Sequence, residues 1–330
     1  MFRVTSLTAM SDRQLDRWIK RVAVLALIAL VAFVGFYVVD RYRDPGPTMV
    51  DRNILALEET VRADPADLVS RGQLADLYAS ADRYEEALTQ YSAIIDSGQD
   101  LELAHFGRAK AYLELGELDA AAADYQVVVD IAKDGEMAHI DPMLNAAYFG
   151  LGSIALEQGR FDDAATHLEA ATRIKRADAD AWYLLGTALV GADRPAEAVE
   201  ALQQAVAFVP FGWAEPYVAM AQAFGDLGQA DRAEWANAMA DLSAGKPDEA
   251  QARLLTITEG EVALDAAIGL GLVSESLGDT ASAADWYAKA LAIDPENVAA
   301  LLGMGRVTEA PLATPLPELP EPGEVEGGEG

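Results

Sequence analysis

Along most of the chain, apolar and small residues return every three or four positions in short runs, divided by turns rich in Gly, Asp and Pro. That period predicts amphipathic α-helices joined in pairs. The clearest stretch is residues 179–210, which opens Ala181-Trp182-Tyr183-Leu184-Leu185-Gly186, passes Pro195-Ala196-Glu197-Ala198 and closes at Val209-Pro210. A first helix places Trp182, Leu185 and Gly186 on one face, and Gly186 removes a side chain where the second helix must approach closely. The second helix answers with Ala at the crossing and larger apolar residues one turn further on. Two such helices cannot bury their apolar stripes alone, so each pair needs a neighbour.

Related phrases recur in step. Residues 68–101 carry Leu74, Ala75 and Tyr78, then Tyr84, Ala87 and Tyr91; residues 102–135 carry Ala109, Tyr112, the turn Leu115-Gly116-Glu117, Ala121 and Tyr125. Residues 145–178 supply Tyr148, Leu151-Gly152, Gly159-Arg160-Phe161, Ala164 and Ala171. Residues 214–247 supply Tyr217, Ala221, Phe224, Leu227-Gly228 and Ala233. The last, residues 264–297, holds Leu270-Gly271, Leu277-Gly278-Asp279, Ala283, Tyr287, Ala290 and Asp294-Pro295. The order Trp, Leu-Gly, large apolar, Ala, large apolar and Pro within about 34 residues resembles the tetratricopeptide repeat (TPR) family. The resemblance implies an all-α fold, a TPR α-solenoid of about six helix-turn-helix repeats plus capping helices. The first two units depart from the pattern, since Arg71 and His105 stand at the Trp position.

Two places fall out of step. About nine extra residues around Met137-Ala138-His139-Ile140-Asp141-Pro142 separate the second unit from the third, as a longer turn or a partner-contacting loop. Residues 247–257 resemble a second helix without a first, so either the helix from Asp231 to Ala244 serves two neighbours or a half-repeat is present. Met49 to Arg62 reads as a lone second helix acting as a cap. Val298 to Val307 reads as the final solvating helix that such arrays need.

The N-terminal segment differs in kind. Val22 to Val39 has 18 residues without a charge, about 27 Å of helix, which is near the thickness of a bilayer's hydrocarbon. Trp18, Tyr37 and Tyr42 flank it as interfacial aromatics would. A cleaved signal peptide is disfavoured because Gly35 to Asp40 offers no small-x-small site, and a repeat array has no place for an all-round apolar core helix. The reading is a basic cytoplasmic tail over 1–21, a transmembrane helix over 22–39, a linker over 40–47 and the solenoid over 48–308. Five Lys or Arg precede the run and two follow it, which places the N-terminus in the cytoplasm and the solenoid outside. Residues 309–330, with five Pro, six Glu and no Lys or Arg, read as a disordered tail.

Charge narrows the partners. The chain of 330 residues carries a formal net charge of −30. Residues 1–43 hold seven Lys or Arg against three Asp, a net of +4, so the remainder is at −34. That excess of acid argues against nucleic acid and leaves protein partners, with homo-oligomers admitted. There is no Cys, which removes disulfides, thiol catalysis and Cys-ligated zinc.

Nothing in the sequence calls for an enzyme or a cofactor. Walker, nucleophile-elbow and HExxH patterns are missing, and none of the three histidines has a His four residues away. Gly269-Leu270-Gly271 and Gly303-Met304-Gly305 resemble a nucleotide loop, yet each lies inside a helix, follows no strand and lacks a third Gly, so helix packing explains them.

In the TPR family a concave groove is lined by first-helix side chains one and five positions after the Trp. The first of these sites carries Phe106, Phe149, Tyr183, Val218 and Ile268; the second carries Lys110, Ser153, Thr187, Gln222 and Leu272. One Lys does not make the Lys and Asn clamp with which chaperone-binding TPR domains hold terminal carboxylates. An apolar and aromatic groove with acidic rims suits a hydrophobic segment with basic flanks. The alternative, that Phe149 and Tyr183 pack against neighbouring helices, stays open. The expected function is a membrane-anchored protein-interaction scaffold or assembly factor; the alternative is a self-associating structural subunit without a peptide ligand.

Overall fold

The computed structural model describes residues 12–42, 48–99, 101–209 and 212–308, with side chains from residue 18 to 37 in the first helix. The expected tail over 309–330, residues 43–47 of the linker and residues 1–11 lie outside the described residues. Everything described is helix or turn, and no strand occurs among the described residues. The chain divides into two units, 1–70 and 71–330.

The first unit contains α1 (Asp12–Tyr42) and α2 (Met49–Ala63). Within α1, Trp18–Tyr37 is 20 residues of mean hydropathy 2.3 whose side chains are all exposed. It is long and apolar enough to cross a membrane, a property that anchors and signal sequences share. In α2 a capping box holds the first turn: the Asp51 amide donates to the Thr48 hydroxyl at 3.1 Å and the Thr48 amide donates to the Asp51 carboxylate at 2.7 Å.

The second unit continues from α3 (Leu68–Ser80), which crosses the division, through α4 (Tyr84–Ser97), α5 (Leu101–Glu114), α6 (Leu118–Ala132), α7 (Pro142–Glu157) and α8 (Phe161–Ile174). It goes on through α9 (Ala179–Gly191), α10 (Pro195–Phe208), α11 (Glu215–Asp226), α12 (Ala230–Ser243), α13 (Pro247–Leu254), α14 (Ala263–Ser276), α15 (Thr280–Ile293) and α16 (Val298–Thr308). From α4 onward each helix packs on the next, and α9 also touches α7 and α11, so the core is a series of local clusters instead of one centre. This is the expected α-solenoid.

Small residues set the helix spacing. Ala87, Ala121, Ala164, Ala198 and Ala283, at the crossing position of successive second helices, are wholly buried. On the first helices the matching gap is a glycine: a Cβ on Gly152 would stand 2.5 Å from Leu168 Cγ, and one on Gly186 would stand 2.4 Å from Leu202 Cγ. Both leucines are fully buried, each contributing about 1.5–3 kcal/mol by leaving water. Left-handed residues close the hairpins, among them Gly159 at φ 70°, and Asp193 at φ 58° where Asp tolerates a conformation that favours Gly.

The extra residues before α7 form an ordered connection. A 3-10 turn over Ala138–Ile140 touches α8, and Asp141 then caps α7, its carboxylate accepting from the Met143 amide at 2.8 Å and the Leu144 amide at 3.1 Å. Met137 and Ile140 remain exposed.

The second irregularity resolves in favour of a shared helix. α12 packs on α11 and on α13, and its alanines allow both approaches: Ala236, Ala238 and Ala240 are buried, as are Ala250 and Leu254 on α13. α13 is short, and a 3-10 turn over Leu255–Ile257 leads out of it.

The last helix departs from expectation. A solvating helix would present polar residues outward, but Val298, Leu301 and Leu302 of α16 are 68%, 48% and 54% exposed. Its inner face is well held. The Tyr287 ring fills the gap between α14 and α16, where a Cβ on Gly271 or Gly303 would come within 2.4 Å and 2.3 Å of it. The Tyr287 hydroxyl donates to the Glu275 carboxylate, which also accepts a fork from Arg306 at 2.9 and 2.7 Å. The Arg306 fork, aided by Tyr287 and opposed by partial burial, holds the Glu275 carboxyl below the usual range.

Gly186→Ala raises helix propensity yet forces Leu202 to move, so urea denaturation should show a loss of about 1–3 kcal/mol instead of a gain. The lowered Glu275 carboxyl contributes stability above its unfolded pKa that is lost as pH falls through the folded value. Thermal melts from about pH 7 to pH 3 should therefore show a smaller acid-induced drop for Glu275→Gln than for the wild type.

Candidate functional site

The nine expected groove residues occupy matched places on five first helices. Phe106 and Lys110 lie on α5, Phe149 and Ser153 on α7, Tyr183 and Thr187 on α9, Val218 and Gln222 on α11, and Ile268 on α14. None is fully buried: Lys110, Val218 and Gln222 are exposed and the others half-buried. Because α7 packs on α9 and α9 on α11, Phe149, Tyr183 and Val218 come from helices in direct contact. Phe106 and Ile268 are set apart from this group. The ordered connection over 133–141 separates α5 from α7, and α12 with α13 intervenes before α14.

Each aromatic of the row rests partly on the core and partly in the open. Phe106 meets the Tyr125 ring edge-on at 5.9 Å, while the Lys110 ammonium sits 5.9 Å from its centroid. Phe149 and Tyr183 both pack against the buried cluster that runs from α7 to α12, so packing against neighbours is real and exposure is partial. The polar positions between them are largely spoken for. Ser153 donates to the Phe149 carbonyl at 2.9 Å and Thr187 to the Tyr183 carbonyl at 3.0 Å, which spends their hydroxyl protons within the helix. What faces outward is predominantly hydrocarbon and ring.

Trp213 extends the patch. It stands in the connection between α10 and α11 and meets Tyr183 edge-on, centroids 5.1 Å apart. Its only sequence signal was an aromatic placed in a turn, Phe211-Gly212-Trp213, where polar residues are usual.

A second cluster is built inside the array. The buried Asp124 carboxylate on α6 accepts a fork from Arg108 at 2.7 and 2.8 Å and pairs with His105 Nδ1 at 2.6 Å, while Arg108 also donates to the Ser92 hydroxyl at 3.1 Å. These groups satisfy one another and tie α4, α5 and α6 together. Arg71, the other departure at the Trp position, donates to Gln90 at 2.8 Å. Among the described residues no group of three or more His, Asp or Glu is placed to hold a metal ion. Shallow clefts of about 360–480 Å³ lie at hairpin turns, and none of the nine row residues lines them.

The Tetratricopeptide repeat family model matches residues 73–136, 145–212 and 236–298, together more than half of the chain. The chain is a tetratricopeptide repeat protein. The third match begins within α12 and extends through α13, α14 and α15 to Val298. No curated protein matches significantly. Among solved structures the TPR chain is similar to a crystal structure of MamA, at 20% identity over 53% of this chain and 97% of that one, with a TM-score of 0.46. It is likewise similar to residues 41 to the end of MamA from Desulfovibrio magneticus RS-1, at 19% identity, 56% and 98% coverage and a TM-score of 0.48. The C-terminal part of a TPR repeat-containing protein from Cytophaga hutchinsonii shares 17% identity over 78% of this chain and 96% of its own, with a TM-score of 0.48. At such identities the likeness concerns the fold alone.

Asp124→Ala strips Arg108 and His105 of their shared acceptor and should cost about 2–3 kcal/mol in urea denaturation, whereas Asp124→Asn, which keeps one acceptor oxygen, should cost less.

Proposed function

We propose that this TPR protein is a membrane-anchored interaction scaffold that takes an apolar or aromatic protein segment along the first-helix row of α7, α9 and α11. TPR repeats are interaction modules, and the observation that carries the reading is the row itself. Phe149, Tyr183 and Val218 lie on helices in contact, are not fully buried, and are joined by Trp213. Aromatics that are held rigid by packing and still reach solvent lose little entropy on binding, which is why such residues dominate interface energies. Phe106, Lys110 and Ile268 lie at the ends of the expected row, where they would meet only a longer segment.

Anchoring rests on α1. Its charge-free run of 18 residues, Val22 to Val39, suits an uncleaved bilayer span, and the excess of Lys and Arg before the run favours a cytoplasmic N-terminus with the repeats on the other side. A partner segment with basic flanks fits the acidic balance of the repeats.

The test combines two measurements in cells. A photo-crosslinking residue in place of Tyr183, in the membrane-embedded chain, should capture a discrete partner. The Phe149→Ala, Trp213→Ala double variant should reduce that capture at least about ten-fold with far-UV circular dichroism unchanged. Undiminished capture would sink the groove reading. Protease digestion of intact cells against permeabilised ones separately checks the side on which the repeats lie.

A further inference from the structure

Three first helices carry the same Gly-x-Gly phrase, and in two of them each glycine receives a different neighbour. On α7 a Cβ on Gly150 would strike Tyr125 of the preceding α6 at 2.6 Å, and one on Gly152 would strike Leu168 of the following α8 at 2.5 Å. On α14 the first, Gly269, faces Leu254 of the preceding α13 at 3.0 Å, and the second, Gly271, faces Tyr287 of the following α15 at 2.4 Å. On α16 the first, Gly303, is filled by Tyr287 of the preceding α15 at 2.3 Å, but the second, Gly305, has nothing within 4 Å among the described residues. Among the described residues, α16 is therefore a first helix whose notch for a second helix is unfilled.

The open face bears its own complement. Val298, Leu301, Leu302 and Gly305 share one stripe at helical spacing, so large exposed leucines lie one turn from the empty notch. Two such helices laid antiparallel about a two-fold axis place Leu301 of each over Gly305 of the other, and the same patch serves both sides. Charge points the same way. α16 is the only described α-helix without an Asp or Glu, in a chain of net charge −30, and its single cation, Arg306, is engaged by Glu275. Copies of so acidic a protein repel one another across most helix surfaces, and least here.

From these observations we infer that α16 is a self-association surface, and that its occupant is α16 of a second copy of this chain. This rests on the open notch and not on the row around Tyr183, so either reading can fail without the other.

The absence of cysteine makes the test direct. The full-length protein, purified in detergent and in lipid nanodiscs, is made as Leu302→Cys and, as a control on an exposed α10 position, Gln203→Cys. Mild oxidation should give a disulfide-linked dimer of Leu302→Cys several-fold more abundant than that of the control. Adding Gly305→Leu puts a side chain into the notch at a position where a Cβ meets nothing within 4 Å among the described residues, and should bring the crosslink down to the control level with helicity unchanged. Generic apolar stickiness predicts the opposite, since that change adds exposed hydrocarbon. Crosslinking at residue 302 no stronger than at 203, or insensitive to Gly305→Leu, overturns the proposal. So does a thiol that labels quickly in detergent but is shielded in nanodiscs without any dimer, which would assign the face to the bilayer.

Discussion

The array depends on the close approach of paired helices at positions where one of them has almost no side chain. Gly152 receives Leu168, Gly186 receives Leu202 and Gly271 receives Tyr287, each at a distance that leaves no room for a Cβ. Those contacts let both backbones come near enough for the apolar stripes to meet fully, and the wholly buried alanines at the crossing position do the same from the other helix. Because each contact involves neighbours only, stability is approximately a sum of local terms, and one unit can change its chemistry without disturbing the next.

That freedom shows in a slot that recurs at a fixed separation. Arg71 meets Gln90, His105 meets Asp124, and Glu234 meets Arg253, each pair 19 residues apart. Tyr148 and His167, at the same separation, bring their rings to 6.2 Å. The separation stays constant while the content passes from polar pairs to a charged pair to tilted rings. The pair Glu234 and Arg253 has one consequence for the fold: it puts α12 and α13 in the same phase as the other units. α12 is then a second helix to α11 and a first helix to α13 at once. A helix can do this only if it is narrow on two sides, and its run of alanines makes it so.

The helix pairs, their turns and the glycine notches were legible in the sequence because each is a local phrase at a fixed spacing. The shared role of α12 is not legible there because alanine on two faces blurs the single apolar stripe by which a helix is read. The Asp124 cluster was missed for a different reason. Its members are polar residues on three helices, and nothing in a linear pattern distinguishes an acid that is buried and forked by Arg108 from the many that face water. Trp213 lay in a turn, outside the periodic frame. α16 reads in the sequence as a solvating cap because its phrase is apolar and final, and only the space beside Gly305, filled by no described residue, and the exposure of Leu301 and Leu302 separate a cap from an unfinished pair.

The same acidity that looks hostile to association leaves two places untouched. The row formed by Phe149, Ser153, Tyr183, Thr187, Val218 and Gln222 carries no charge, and neither does the outward stripe of α16. Much of the basic complement is committed to short-range pairs such as Arg160 with Asp163 and Arg194 with Glu197, which are exposed and contribute little to stability. Those pairs neutralise acid locally without producing basic patches, so the field beyond the surface stays negative at distances up to a Debye length of about 8 Å at physiological salt. Apolar contact then decides where a partner can settle, while the surrounding carboxylates decide which partners arrive. A field of that sign disfavours the approach of an anionic macromolecule to either face.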